Sequence, residues 1–248
     1  MKKRIILLIT LLVFVATSLS AFQFTPISKD FDSNGAGARQ TFRVINDSDK
    51  TIGVQISALT RDMDLYGNET LEDASKYFSI YPKQVVVKPG FYQTVRVQWK
   101  GPAAVDDELS YRIEAEQLPL NFNQSTEGAN LNILLVYRGT MYVVPEKFSY
   151  DLRMLSIKSH IDSDGNKFIA IEMQNDGNTH QIMYRPEFTI TSHFGNIATT
   201  EVILIQDELV GFAGENILAG QRRIFLVPWP ADLQEGQLSA TYQMENIR

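Results

Sequence analysis

Apolar and polar residues alternate with a period of two along most of this chain. The pattern is clearest in three segments, which cover residues 52–58, 95–99 and 109–116. Alternation of this kind places one face of a strand on a core and the other face in solvent. Turn-forming residues such as Lys88-Pro89-Gly90 separate the segments. No segment carries a sustained helical stripe, and at most a short helical turn fits residues 71–77. We therefore predict an all-β fold.

The predicted strands fall into two groups, one on either side of Pro145. The second group covers residues 148–156, 167–174, 188–192, 201–206, 223–227 and 238–243. Many short strands separated by turns are typical of β-sandwiches. We predict two such domains, residues 22–145 and 146–248. The polar segment from Asn121 to Asn130 is expected to form an exposed loop within the first of them.

Residues 1–21 have the order of features found in secretory signal peptides. Lys2, Lys3 and Arg4 precede an apolar run over residues 5–16, and small residues follow up to Ala21. The run is shorter than the roughly 20 residues that a membrane-spanning helix needs, although an uncleaved anchor is the alternative. We expect cleavage after Ser20 or Ala21 and export of the mature protein, with no stable membrane insertion.

Composition narrows the possible chemistry. The 248 residues carry a formal charge of −6, which argues against a nucleic-acid partner. The absence of cysteine excludes a disulfide framework, thiol catalysis and cysteine-ligated zinc. The three histidines, His160, His180 and His193, have spacings that match no ligand pair. We expect no metal, no cofactor and no enzymatic activity.

One short motif superficially resembles a calcium loop. Asp162-Ser163-Asp164-Gly165-Asn166 has the oxygen-rich start of such a loop but lacks the glutamate that should follow at the required spacing. Its composition is that of a hairpin turn. We therefore predict a turn between two strands.

The segment from Leu131 to Tyr137 breaks the alternation, because apolar residues occupy both of its faces. A central core strand would have this pattern. An edge strand that offers Leu131, Ile133, Leu135 and Tyr137 to a partner would have it as well. The pattern alone leaves both interpretations open.

The order of these signals resembles that of the PapD-like periplasmic chaperones of the chaperone–usher pilus pathway. The matching pieces are Phe42–Asn46, Tyr77–Pro82, Val87–Gly90, Gln93–Val97, Asp107–Ile113, Leu118-Pro119, the run Leu131–Val144 closed by Pro145, and Ile171–Asn178 in the second domain. The resemblance implies two immunoglobulin-like sandwich domains in a boomerang arrangement. It also implies a periplasmic protein that binds pilus subunits and delivers them to an outer-membrane usher.

The resemblance assigns roles to particular residues. Such chaperones donate a strand that completes the subunit's fold, and here the donor residues would be Leu131, Ile133, Leu135 and Tyr137. The family anchors the subunit's C-terminal carboxylate with two basic residues, but Ser28 and Thr140 occupy those positions. Lys29 and Arg138 lie nearby and could substitute. The resemblance further implies an interdomain salt-bridge group made of Arg96, Glu108 and Asp232.

Two other functions stay open at this stage. A two-domain surface adhesin or pilus subunit would use a spare strand of its own to polymerise. A carbohydrate-active enzyme or binding module would need aromatic platforms, for which only Trp99 and Trp229 offer an indole, and a pair of carboxylates at a suitable spacing.

Overall fold

A computed structural model describes residues 22–120 and 133–247 of the chain. These residues form strands and turns but no helix, which confirms the predicted all-β class. Consequently no described helix is long and apolar enough to cross a membrane. The predicted signal segment 1–21, the loop 121–130 and Leu131 lie outside the described residues.

The first domain is a sandwich of two sheets. One sheet has the order β1-β3-β9-β7 and the other the order β2-β11-β10-β4-β8, while β5 and β6 form a separate hairpin. The strands are β1 (Phe22–Thr25), β2 (Ser28–Asp32), β3 (Arg39–Asn46), β4 (Ile52–Thr60), β5 (Asp62–Met63), β6 (Glu69–Thr70), β7 (Phe78–Tyr81), β8 (Gln84–Val87), β9 (Tyr92–Trp99), β10 (Leu109–Leu118) and β11 (Val136–Val144).

The second domain repeats the two-sheet plan. One sheet has the order β12-β13-β17, and in the other β14 pairs with β18 along one side and with β15 and β16 along the other. The strands are β12 (Leu152–Ile161), β13 (Lys167–Asn175), β14 (Gln181–Phe194), β15 (Ile197–Ile205), β16 (Asn216–Ile217), β17 (Arg222–Pro228) and β18 (Gln237–Ile247).

Each domain has its own hydrophobic core. The alternating residues predicted to face inward do so, since Ile56, Val97 and Ile113 are all buried in the first core. Phe188, Phe212 and Phe225 pack together in the second. The first cluster ends at Val143 and the second begins at Ile169. The exact boundary at residues 145 and 146 stays a prediction.

A buried asparagine closes a turn in the same way in both domains. The side-chain amide of Asn46 donates to the carbonyls of Lys50 and Val87, and that of Asn175 donates to the carbonyl of Thr179. Each side-chain oxygen also accepts a backbone N–H two residues later. Such Asx turns satisfy backbone groups that would otherwise be buried without partners.

The Asp162–Asn166 motif forms the predicted hairpin turn. It connects β12 to β13, whose ends pair at Ile161 and Lys167. The Asp162 carboxylate accepts hydrogen bonds from the backbone of Asp164 and from the backbone and side chain of Asn166. The hydrogen bond from the Asn166 side chain is the main reason that the pKa of Asp162 lies below its usual value.

Candidate functional site

The first residues of β11 have a free backbone edge. On one side β11 pairs antiparallel with β10, and Leu135 C=O accepts from Gln117 N–H at 2.9 Å. On the other side the parallel strand β2 pairs only with Thr140–Val144. Because ladder bonds alternate along a strand, the backbone groups of Val136 and Arg138 face the unpaired side. Within the described part of the chain, residues 133–138 therefore form an open edge, which we call the β11 edge.

The side chains of the β11 edge are mostly apolar. Ile133 is 63% exposed, whereas Leu135 and Tyr137 are half-buried and pack against the first core. Tyr137 meets Phe22 edge to face, with ring centroids 4.7 Å apart. On the opposite side of the strand, Val136 is 50% exposed. Among the described residues the regular strand begins at Val136, and Leu131 at the start of the predicted strand lies outside them.

A row of polar side chains crosses the sheet next to this edge. Ser28, Thr140 and Arg112 are direct neighbours on three adjacent strands, β2, β11 and β10. Arg112 Nη1 donates to the Thr140 hydroxyl. Tyr142 lies on the same side of β11 and stacks on His180 of the second domain, with centroids 3.9 Å apart. The row therefore lies on the side of the first domain that faces the second.

The other two expected anchor residues are placed differently. Lys29 lies on the opposite side of β2 from Ser28, because successive side chains alternate and Lys29 shares its side with the buried Phe31. Arg138 belongs to the β11 edge and lies two residues before Thr140 on the same side of the strand, where its guanidinium pairs with Glu114 at 2.7 Å. The structure thus brings Thr140 to Arg112, a residue that the sequence analysis did not select.

Arg112 belongs to a cluster of charges between the domains. Glu69 of the β5–β6 hairpin accepts from Arg112 at 2.5 Å and from Arg61 at 2.7 Å. Burial of the Glu69 carboxyl acts to raise its pKa, but the hydrogen bonds and charges of the two arginines outweigh burial and hold the pKa below its ordinary 4.5. Two arginines share one carboxylate, so the three groups carry one net positive charge.

Arg61 connects this cluster to the second domain. Its Nη1 lies 3.3 Å from the Tyr142 hydroxyl, and its Nη2 lies 3.4 Å from Asn216 Oδ1. The side chain of Arg61 is almost fully buried. Burial raises the pKa of Tyr142, despite the nearby Arg61 charge. A buried arginine thus bonds to both domains at once.

Of the three expected interdomain charges, the structure brings only Glu108 to the contact between domains. The buried Glu108 carboxylate accepts from Thr179 Oγ1 at 2.9 Å and lies 2.6 Å from His180 Nδ1. Arg96 is exposed on β9, which belongs to the other sheet, and Asp232 is exposed in the second domain. Neither has an ion pair among the described residues. The expected group of three is therefore replaced by Glu108, Thr179 and His180.

Sequence reasoning missed Arg112 because it occupies a polar position of the alternating strand β10. Arg112 falls between Tyr111 and Ile113, where any solvent-facing residue would give the same pattern. No signal in the chain distinguishes such a position from an exposed one. Among the described residues, no cluster of histidine and acidic side chains could hold a metal ion.

Comparison with known proteins agrees with this architecture. Residues 31–149 match the family described as pili and flagellar-assembly chaperone, PapD N-terminal domain, a family of chaperones and not of enzymes. No curated protein sequence matches the chain.

Solved structures with the same fold are chaperones of pilus systems. A chain of the CsuC–CsuE chaperone–tip adhesin pre-assembly complex from Acinetobacter baumannii superimposes with a TM-score of 0.58 at 13% identity, covering 92% of this chain and 97% of that one. The class 5 fimbriae chaperone CfaA gives 0.53 at 17% identity, covering 91% and 100%. A chain of the Salmonella enterica SafA pilin–SafB chaperone complex gives 0.53 at 13% identity, covering 93% and 99%.

At such low identities these structures establish the fold, which consists of two immunoglobulin-like domains over nearly the whole chain. The family match assigns the first domain independently. Taken together, residues 31–149 match the PapD N-terminal domain family, and the chain shares the two-domain fold of solved pilus chaperones.

Proposed function

We propose that this protein holds pilus subunits by donor-strand complementation at the β11 edge. The observation that carries the proposal is an unpaired strand edge lined with apolar side chains. An unpaired edge can accept a partner strand through backbone hydrogen bonds, and alternate side chains then fill the partner's groove. The related complexes contain pilin or tip adhesin subunits, which supports the same kind of partner here.

The donor side chains are Leu131, Ile133, Leu135 and Tyr137. Fully burying an exposed side chain of this kind contributes about 1.5–3 kcal/mol, and a half-buried one contributes less. Ile133 has the most to gain among those described, because it is the most exposed. Leu135 and Tyr137 already contact the first core, so a bound subunit would extend that core instead of forming a separate one.

We place the anchor for the subunit's C-terminal carboxylate at Arg112, Thr140 and Ser28. Arg112 keeps guanidinium N–H groups beyond those bound to Glu69 and Thr140, and its side chain is 19% exposed. Thr140 accepts from Arg112, which leaves its own O–H to donate. Arg138 lies close enough along β11 to add a second positive charge. Lys29 faces away and is the weakest of the expected anchors.

The cellular setting follows from the same proposal. Residues 1–21 direct export, the mature protein works in the periplasm, and an outer-membrane usher receives the loaded chaperone. The protein acts by binding alone, without catalysis, cofactor or nucleic acid.

The test replaces Ile133 with Asp and measures co-purification with candidate pilus subunits. A charge forced into an apolar groove costs several kcal/mol, and each 1.4 kcal/mol is a factor of ten, so capture should fall by more than about a hundredfold. Thermal stability of the free protein should stay unchanged, because Ile133 is already exposed.

Val136→Asp is the matched control, since Val136 is also exposed but lies on the other side of the strand. It should reduce capture much less than Ile133→Asp. Undiminished capture by Ile133→Asp, or an equal loss in both variants, would contradict donation of the odd-numbered side chains.

A further inference from the structure

The outer face of the sheet β1-β3-β9-β7 carries only positive charges, although the whole chain is acidic. Its inward positions hold core residues such as Phe42 and Val97. The outward positions, which we call the arginine face, are Gln23, Thr25, Arg39, Thr41, Arg43, Ile45, Ser79, Tyr81, Tyr92, Thr94, Arg96 and Gln98. They include three arginines and two exposed tyrosines, and none of these twelve residues is acidic. This contrasts with the chain's net charge of −6.

The three arginines have no carboxylate partner within the described parts of the chain. Arg39 donates weakly to Gln98 at 3.4 Å, and Arg43 lies over the ring of Tyr92 at 5.2 Å. The Arg96 side chain is exposed and has no hydrogen bond to another described residue. At the margin of the face, the Asp47 carboxylate accepts from Gln23 at 2.6 Å. Three like charges therefore lie side by side, which costs free energy unless an anion is bound.

The register fixes their spacing. Arg96 pairs with Thr41, which lies midway between Arg39 and Arg43 on the neighbouring strand. At about 3.4 Å per residue, the three arginines recur every ~7 Å along the strand direction. The same ~7 Å separates alternate side chains of an extended polypeptide. Carboxylates at positions i, i+2 and i+4 of an extended segment would therefore each meet one guanidinium.

We propose that the arginine face docks an extended acidic segment of a partner protein, with Asp or Glu at alternate positions. Arginine pairs with carboxylates through two parallel hydrogen bonds, and arginine and tyrosine are the residues most enriched at protein–protein contacts. The strands that carry the three arginines, β3 and β9, are interior strands of their sheet, so side chains and not strand addition supply the contact.

This surface is separate from the β11 edge. The arginine face belongs to one sheet of the first domain and β11 to the other. An acidic partner can therefore bind while a subunit occupies the β11 edge, and the proposal does not depend on strand donation.

The test uses a fluorescent octapeptide of alternating Ser and Glu and follows its anisotropy with the mature full-length protein at low salt. The triple variant Arg39→Gln, Arg43→Gln, Arg96→Gln should weaken binding by about tenfold or more, as expected for the loss of charge-assisted hydrogen bonds. The matched control Lys50→Gln, Lys88→Gln, Lys158→Gln removes three exposed charges elsewhere and should leave binding within about twofold. Circular dichroism melts verify that both variants fold.

Four results would overturn the proposal. The arginine variant could bind the peptide as tightly as the wild type, or the lysine control could lose as much affinity. A peptide of the same composition with its four Glu residues consecutive could bind as tightly as the alternating one. Binding would then depend on the total charge of the peptide and not on the spacing of its carboxylates. Finally, the arginine variant could lose binding to phosphatidylglycerol vesicles but keep peptide binding, which would make the face a membrane contact.

Discussion

The carboxylate of Glu108 lies in the first domain, but its hydrogen-bond partners Thr179 and His180 lie in the second. Glu108→Ala would leave both buried partners unsatisfied, at a cost of about 1–3 kcal/mol for each lost donor. We expect a lower free energy of unfolding in urea and a broader interdomain distance distribution in solution scattering. Arg96→Ala is the control and should change stability by no more than about 0.5 kcal/mol, because Arg96 is exposed. If the two variants behave alike, Glu108 does not hold the domains together.

Arg112 is the residue on which the proposed carboxylate anchor depends. Arg112→Gln should weaken subunit binding by about 10- to 100-fold, the equivalent of 1.5–3 kcal/mol for hydrogen bonds to a charged group. Calorimetry measures the binding affinity of two synthetic peptides with the sequence of the subunit's C-terminus. One peptide ends in a free carboxylate and the other in an amide. The variant should bind both peptides equally, whereas the wild type should prefer the free carboxylate. If Arg112 had only a structural role, the variant would bind both peptides more weakly by the same factor and would keep the wild-type preference for the free carboxylate.

At the scale of elements, the β5–β6 hairpin is the part of the first domain that reaches furthest onto the second. Leu65 C=O accepts from Ile224 N–H at 2.6 Å. The turn residue Gly67 has a φ of 83°, and a Cβ there would lie 1.9 Å from the guanidinium of Arg223. Arg223 is itself buried, so it has little room to move away.

Gly67→Ala should therefore break the contacts between the β5–β6 hairpin and the second domain. Gly35→Ala is the matched control, because Gly35 also has a positive φ but has open space around its Cβ position. The control should lower the free energy of unfolding by only about 1–2 kcal/mol, the strain of placing a Cβ on a left-handed backbone. Gly67→Ala should cost more and should make the hairpin sensitive to limited proteolysis at native pH. Equal stability losses and equal cleavage rates would show that the hairpin is not seated against Arg223.

The strands that sequence reasoning predicted correctly are those with uninterrupted alternation, such as the strand around Val95 and Val97. The first half of β14 was missed, because a bulge between Tyr184 and Glu187 shifts the phase of its burial pattern. Arg185 at this bulge has a φ of 46°. Residues 71–77, where at most a short helical turn fitted the sequence, form turns and an isolated bridge from Asp73 to Leu59.

At the scale of the whole molecule, each domain has its own hydrophobic core between its two sheets. Polar contacts, and not a shared apolar core, join the two domains. Sequence patterns report apolar faces, so they predicted both sandwiches. They could not predict the interdomain cluster, because the polar face of a strand that meets another domain has the same sequence as one that meets water. Only the register of β10 and β11 brings Arg112 to Thr140.

The cluster of Glu69, Arg61 and Arg112 makes the joint between domains dependent on pH. Glu69 has a pKa below its ordinary 4.5 in the folded protein, so its ionised form is favoured there. A group of this kind contributes stability that is fully present above pH 4.5 and is lost as the pH falls through the lower, folded pKa. Protonation weakens the hold of Glu69 on Arg61, the residue that bonds to Asn216 of the second domain.

We therefore expect scattering profiles at pH 3 to show a looser arrangement of domains than at pH 7. Other carboxylates titrate over the same range, so the decisive quantity is the difference between the wild type and Glu69→Gln. The variant lacks the titrating group, so its two domains should already be loosely arranged at pH 7. Its scattering profile should then change less than that of the wild type when the pH is lowered. Urea unfolding at both pH values should show the same reduced dependence on pH in the variant. If wild type and variant lose equal stability between pH 7 and pH 3, other carboxylates and not Glu69 control the joint.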